Sequence, residues 1–250
     1  MSLYTRPQLA AASLRRGLSE NIFSQSKNDE IENGGLDQGF GLTDEFLTFD
    51  DENKWVLTQA SAGSAALDVA AKGGVLLLDC NSTTNNQGVQ IQLGGAAGAA
   101  SFIASAASKI YFEARVKIAD IGSTTCQMFV GLAEVDTSVL ASAANSTANH
   151  IGFEAINTTA MGIHSEKAGS RSSTASVHTV VDDDYVKLGF IVDGLTKITP
   201  FVNGVSQTAI TTNIPIVAMT PSFVCHSSGT TDPILHVDWV ACYQAEHIAN

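Results

Sequence analysis

The chain has 250 residues, of which 44% are hydrophobic and 15% charged. That length fits one large all-β domain or two small ones, and that balance supports a buried core and excludes disorder throughout. A formal net charge of −12 at pH 7 repels phosphate backbones and excludes nucleic acid as a general partner. No stretch approaches the roughly 18 uninterrupted apolar residues of a membrane span, so no membrane partner is expected.

The charge is unevenly distributed. Residues 1–28 carry Arg6, Arg15, Arg16 and Lys27 against Glu20, whereas residues 29–53 carry acids and no base. A basic arm followed by an acidic segment suggests docking onto a partner. "MSLYTRPQLAAASLRRGLSENIF" has no continuous apolar region between its arginines, so no signal peptide is predicted and synthesis in a cytoplasm is expected. Within it Leu9, Ala12, Leu14, Leu18 and Ile22 fall at spacings of three and four, which predicts a short amphipathic helix over residues 8–24. Such a helix needs a partner surface, its own domain or another subunit, because short helices are marginal alone. Residues 25–45 are polar and glycine-rich and read as a linker, giving an arm over 1–43 and a domain over 44–250.

From Asp44 the pattern is one of strands. "DEFLTFDDENKWVLTQ" reads as strand, turn and strand, and "GGVLLLDC" as a buried strand. In "NNQGVQIQLGG", Val89, Ile91 and Leu93 alternate against Gln90 and Gln92, which predicts a sheet with one wet face. "AAGAASFIASAASK" reads as a small-residue loop. "KIYFEARVKIAD" sets Ile110, Phe112, Ala114, Val116 and Ile118 on one face, with Tyr111, Glu113, Arg115 and Lys117 on a solvated one. "CQMFVGLAEV" is its expected neighbour, and "DTSVLASAANSTAN" reads as a polar insertion of functional or disordered-loop length. "HIGFEAIN" and "MGIHSEK" read as a hairpin, and "GSRSSTASVHTVV" as loop leading into strand. "YVKLGFIVDGLTKITPFVNGVSQTAI" reads as a three-stranded meander whose Asn203-Gly204 turn accepts positive φ. In the last strand Leu235, Val237, Trp239 and Ala241 are predicted to face the core. About a dozen strands without a βαβ unit predict an antiparallel two-sheet sandwich.

Cys80, Cys126, Cys225 and Cys242 share no CxxC spacing, so zinc is not expected and buried thiols are. A bridge such as Cys225 with Cys242 stays open, since spacing does not decide it.

Four stretches carry a resemblance. "KIYFEARVKI", "YVKLGFIVDGLTKITPFVNGV", "HVDWVACYQ" and "DEFLTFDDENKW" resemble strands of the concanavalin A-like lectin/glucanase jelly roll, over roughly residues 44–245. That resemblance implies an all-β jelly-roll sandwich and leaves function open among lectins, glycosidases and structural modules. Glycosidases of this superfamily carry acids at ExDxE or ExDxxE spacing on one strand. In "IGFEAINTT", Glu154 has no second carboxylate on its strand, so no enzyme activity is expected. Lectin members often bind calcium. Asp182, Asp183 and Asp184 have suitable oxygens but lack the spaced ligand pattern, so no metal is assigned and a solvated turn is their ordinary role. Trp55 and Trp239 read as core rather than sugar platforms. The scattered histidines form no triad, "GGAAGAA" lacks the Lys and Ser/Thr of a phosphate loop, and no cofactor is expected.

A sandwich without catalytic acids, fronted by a basic arm, resembles bacteriophage capsid decoration (cement) proteins. That resemblance implies a virion structural protein at the capsid surface, with the major capsid protein as partner and a homotrimer as assembly. Arg6, Arg15 and Arg16 would pair with coat-protein acids, while Leu9, Leu14, Leu18 and Ile22 would fill grooves between subunits. The alternative is a carbohydrate-binding, lectin-like module of a phage fibre or host-facing protrusion, with a glycan as partner.

Overall fold

The computed structural model describes residues 18–19, 21–23, 39–94, 102–121, 126–139 and 148–246. The strands among them are β1 (Gly39–Asp44), β2 (Trp55–Ala60), β3 (Ser64–Leu67), β4 (Leu76–Asp79), β5 (Gly88–Leu93), β6 (Ser108–Ala119), β7 (Cys126–Ala133), β8 (His150–Thr158), β9 (Ala160–Lys167), β10 (Ser170–Thr179), β11 (Val186–Asp193), β12 (Lys197–Val202), β13 (Val205–Ser206), β14 (Thr220–His226) and β15 (Ile234–Glu246). They form two antiparallel sheets packed face to face as a jelly-roll sandwich. One runs β13-β12-β11-β6-β15-β4-β3, with β1 also paired to β15; the other runs β10-β9-β8-β7-β14-β5-β2. No described helix is long and apolar enough to cross a membrane.

Period-two alternation builds the core. Phe112 of β6 stacks on Phe190 of β11 at 4.9 Å, and Phe153 of β8 reaches Phe190 from the opposite sheet. Trp55 lies between Phe46 and Phe223 and donates its indole N–H to Asp44 at 2.9 Å. Each such ring, fully buried, contributes about 1.5–3 kcal/mol. The β11–β12–β13 meander closes on Asn203 and Gly204 at φ 50° and 77°, as expected of a two-residue hairpin turn. Its returning strand is only Val205–Ser206; Ile210 then rejoins Ile198 through an isolated bridge.

Several expectations change; β7, expected beside β6, lies in the other sheet between β8 and β14. First, the sheet begins at Gly39, inside the predicted linker, because β1 pairs with β15 over Gly39–Asp44. Second, β10 spans Ser170–Thr179, so the predicted lead-in loop is strand from its start. Third, β15 carries a bulge: Val237 pairs with Val116 but Trp239 pairs with Arg115, leaving Asp238 as the extra residue. The bulge reverses the alternation. Leu235, Val237, Val240 and Cys242 face the inter-sheet core, whereas Trp239, Ala241, Tyr243 and Ala245 turn to the outer face.

Fourth, that outer face is not solvated. Leu18, Ile22 and Phe23 pack on Tyr111, Ile191, Phe201, Trp239 and Tyr243. Ser19 N–H donates to Glu113 Oε2 at 2.8 Å, and Asn21 Nδ2 donates to the Gly204 carbonyl at 2.8 Å. Glu113, expected on a wet face, is therefore fully buried. Desolvation pushes its carboxyl above the usual range, against the bonds from Ser19 and the charge of Lys187. Gly189 gives the room: a Cβ there would lie 2.6 Å from Ile22 Cδ1. Leu18 and Ile22, expected to fill a partner's grooves, instead fill a groove on their own sandwich, because five large outward side chains would otherwise face water. Arg6, Leu9, Leu14, Arg15 and Arg16 lie outside the described residues, as does most of the predicted helix.

Candidate functional site

The outer face of the seven-stranded sheet holds a polar cluster that the inner alternation forces outward. On β8 Ile151, Phe153 and Ala155 enter the core, so His150, Gly152, Glu154 and Ile156 point away. On β9 Met161 and Ile163 enter the core, so Gly162, His164 and Glu166 point away. The register then sets His150 opposite Glu166, Gly152 opposite His164 and Glu154 opposite Gly162. Arg171 of β10 pairs with Glu166.

Arg171 ties the cluster together. Its Nη1 donates to Glu154 Oε2 at 2.9 Å and lies 3.0 Å from His164 Nδ1; its Nε donates to Glu166 Oε2 at 3.1 Å. A guanidinium only donates, so His164 Nδ1 accepts and the network assigns its ring proton to Nε2. Burial, reinforced by the Arg171 charge, lowers the His164 pKa to about 4, so the ring is neutral at neutral pH. His150 donates from Nδ1 to the Ala148 carbonyl at 2.8 Å and places Nε2 3.0 Å from Glu154 Oε1, a close contact angled poorly for a hydrogen bond. Burial alone would raise the Glu154 carboxyl. The His150 contact and the Arg171 charge outweigh it and hold Glu154 below its ordinary value, hence ionised.

An open cleft of about 200 Å³ lies beside this cluster, lined by Glu154, Ile156, Thr158, Gly162, His164 and Ser176 among others. Gly162 matters because a Cβ there would stand 2.9 Å from His164 Nε2. A bulge in β10 between Thr174 and His178, with Ser176 at φ 52°, bends that strand into one wall of the cleft.

The centre of the same face is filled by the chain itself. Residues 134–139, which follow β7 and include the start of the predicted polar insertion, lie over Gln90 and Gln92. Gln92 Nε2 donates to the Glu134 carbonyl at 3.1 Å, and its Oε1 accepts from Asp136 N–H at 3.0 Å. Gln90 Oε1 accepts from Val139 N–H at 3.0 Å, and Gln90 Nε2 donates to the Asp136 carbonyl. Val139 packs on Phe129, Ala133 and Val224. The predicted wet face of β5 is therefore dry: both glutamines serve as backbone clamps and are 3% exposed.

Of the residues singled out from sequence, Asp183 pairs with Lys117 Nζ at 2.6 Å, and that bond lowers its carboxyl. Asp182 accepts from Ile121 N–H at 3.3 Å, and Asp184 is exposed. The three acids spread along a turn rather than converging. Sequence reasoning missed His150, His164, Glu166 and Arg171. The predicted hairpin of "HIGFEAIN" and "MGIHSEK" held the signal, because its register alone brings Glu154, His164 and Glu166 to one face.

No family model matches the chain, and no curated protein matches it. Solved structures do. A protein of unknown function from Shewanella oneidensis aligns at 12% identity over 90% of this chain and 95% of its own, with a TM-score of 0.60. Peanut lectin aligns at 12% identity over 85% of this chain and 100% of its own, also at 0.60. A family 16 endo-glucanase from Bacteroides ovatus aligns at 14% identity over 80% of this chain and 98% of its own, at 0.54. At such identities the likeness shows the fold alone, a two-sheet jelly-roll sandwich. Further glycoside hydrolases among the similar structures overturn one expectation. Enzyme activity was excluded because Glu154 has no second acid on its strand; the fold is one that hydrolases use, and a second buried carboxylate, Glu166, arrives from the neighbouring strand.

Proposed function

We propose that the chain is a carbohydrate-binding module whose ligand sits in the cleft beside Glu154 and His164. The observation that carries this reading is an ionised carboxylate and a neutral imidazole N–H fixed side by side by Arg171 at the edge of an open cleft. Sugar hydroxyls both donate and accept. His164 Nε2–H, held in place by Arg171 and the buried Glu154, would donate to one hydroxyl and the Thr158 and Ser176 hydroxyls on the cleft wall would accept from others, while Ile156 and Gly162 offer apolar contact to ring C–H groups. The cleft is smaller than the roughly 300–1,000 Å³ of drug-sized sites, and residues 134–139, clamped on Gln90 and Gln92, block extension across the sheet. Both features favour one sugar residue or a chain end over the interior of a polymer. The net charge of −12 favours neutral sugars.

Titration calorimetry against neutral mono- and oligosaccharides tests this. Binding weakened at least about tenfold by His164→Ala and by Gly162→Val supports the reading. A panel in which nothing binds, or in which both variants bind as well as the parent, overturns it. Reducing-sugar release on the same panel, lost in Glu154→Gln, would make the cleft an active site.

A second reading is capsid decoration. The Ser19–Glu113 bond anchors the root of the arm on the outer face of one sheet, which would project Arg6, Leu9, Leu14, Arg15 and Arg16 from a fixed point. Those residues would dock onto a major capsid protein, with the body assembled as a homotrimer on the virion surface. Removal of residues 1–17 should then abolish co-sedimentation with capsids; unchanged co-sedimentation, or a monomer by light scattering, would count against it.

A further inference from the structure

Two thiols that share no sequence motif meet in the core. Cys80 directly follows β4 of one sheet, Cys225 lies on β14 of the other, and their sulfurs are 3.5 Å apart with both residues fully buried. We propose that Cys80 and Cys225 are a cystine site that staples the two sheets covalently when the protein meets an oxidant of the disulfide class. The pairing differs from the Cys225–Cys242 bridge that spacing left open. Cys242 sits on β15 between Leu42 and Phe112.

The geometry needs little change. A disulfide requires an S–S distance of about 2.05 Å with Cβ atoms about 3.5–4.5 Å apart. Sulfurs already in van der Waals contact close the remaining gap of about 1.5 Å by side-chain rotation. The surroundings hold both cysteines in place. Cys80 N–H donates to the Pro233 carbonyl at 3.3 Å, and the Cys225 thiol points to that same oxygen at 3.5 Å. Ser82 N–H donates to Asp232 Oδ1 at 2.8 Å, and Ser227 N–H to the Gln87 carbonyl at 2.8 Å. These bonds latch the loop over residues 80–87 to the loop over 227–233, and the thiols lie beneath that latch.

Burial sets the order of events. Glutathione disulfide cannot reach a sealed thiol, so exchange takes place during folding or when the two loops part. One thiol loses its proton to solvent and attacks the oxidant, forming a mixed disulfide and releasing one glutathione thiolate. The second deprotonated thiol then attacks the protein sulfur of that mixed disulfide and releases the second thiolate. Two electrons pass from the protein to glutathione disulfide, and the closed end of the sandwich excludes reductant afterwards.

The test is refolding of the full chain in a glutathione redox buffer, followed by intact mass, peptide mapping and thermal unfolding with and without reductant. The expected result is a mass loss of about 2 Da and a peptide joining Cys80 to Cys225. The cross-link spans 145 residues, so the oxidised form should melt on the order of 10 °C higher than the reduced form. Cys80→Ala and Cys225→Ala should each abolish the reductant-sensitive part of that shift, and Cys242→Ala should retain it. Because the comparison is oxidised against reduced within each variant, a general loss of stability does not imitate the result. Mapping that finds both thiols free, or joined to other cysteines, overturns the proposal, as does an oxidised form that melts no higher than the reduced one.

Discussion

Replacing Ile22 with Ala should release the segment around it from the sandwich while leaving the body folded. Leu18, Ile22 and Phe23 are buried against the outer face of one sheet, together worth about 5–9 kcal/mol of apolar burial. The bond from Ser19 N–H to Glu113 adds about 1 kcal/mol, and the Asn21 contact about 1. Ordering the span from Leu18 to Phe23 costs about 1.5 kcal/mol per residue, roughly 9 kcal/mol in all. The seal is therefore balanced to within a few kcal/mol. Truncating Ile22, which fills the space above Gly189, should remove about 2–4 kcal/mol and tip it open. Trp239, Tyr111 and Tyr243 lie under this segment, whereas Trp55 lies between the sheets. Release should red-shift the Trp239 emission and speed hydrogen exchange at residues 19–23, with core amides still protected. If Ile22→Ala lowers the melting temperature yet leaves Trp239 emission and exchange at 19–23 unchanged, the segment is an integral part of the core and the balance drawn here is wrong.

The Glu113 carboxyl is raised by burial, so its contribution to the seal is fully present below the ordinary carboxylate pKa and is lost as pH rises through the folded value. Exchange at residues 19–23 should accelerate with rising pH beyond the intrinsic rate, and Glu113→Gln should flatten that extra dependence. Arg171→Ala strands Glu154 and Glu166 without their shared cation and should cost about 3–5 kcal/mol; chemical denaturation would measure this, and a loss below about 1 kcal/mol would mean the cluster is solvated. His164 and His226 are both held near 4 by burial, against an ordinary value of 6.5. The unfolded chain therefore binds more protons between those values, and stability should fall as pH drops from 6.5 towards 4. His164→Asn should reduce that slope, and an unchanged urea midpoint across the window would contradict the burial of both rings.

Much of the sandwich was legible in the sequence because strand alternation is a local property. The one-sided apolar run of Ile110, Phe112, Ala114, Val116 and Ile118 is enough to fix which face of β6 meets the core. The Asn203-Gly204 turn likewise needs only its own two residues to accept positive φ. What the other face meets is set by distant residues. Glu113, Gln90 and Gln92 all read as solvent-facing, yet each is covered by a segment whose arrival local pattern cannot announce. The Asp238 bulge changed the destiny of Trp239 without altering any local preference. The cluster of Glu154, His164, Glu166 and Arg171 depends on cross-strand register, and the meeting of Cys80 with Cys225 on the two sheets closing together. Outside the Asp238 bulge, sequence determined which residues turn inward, because that follows from backbone geometry over a few residues; tertiary structure alone decided which polar groups share a site, because that depends on how distant strands align and what then lies over them.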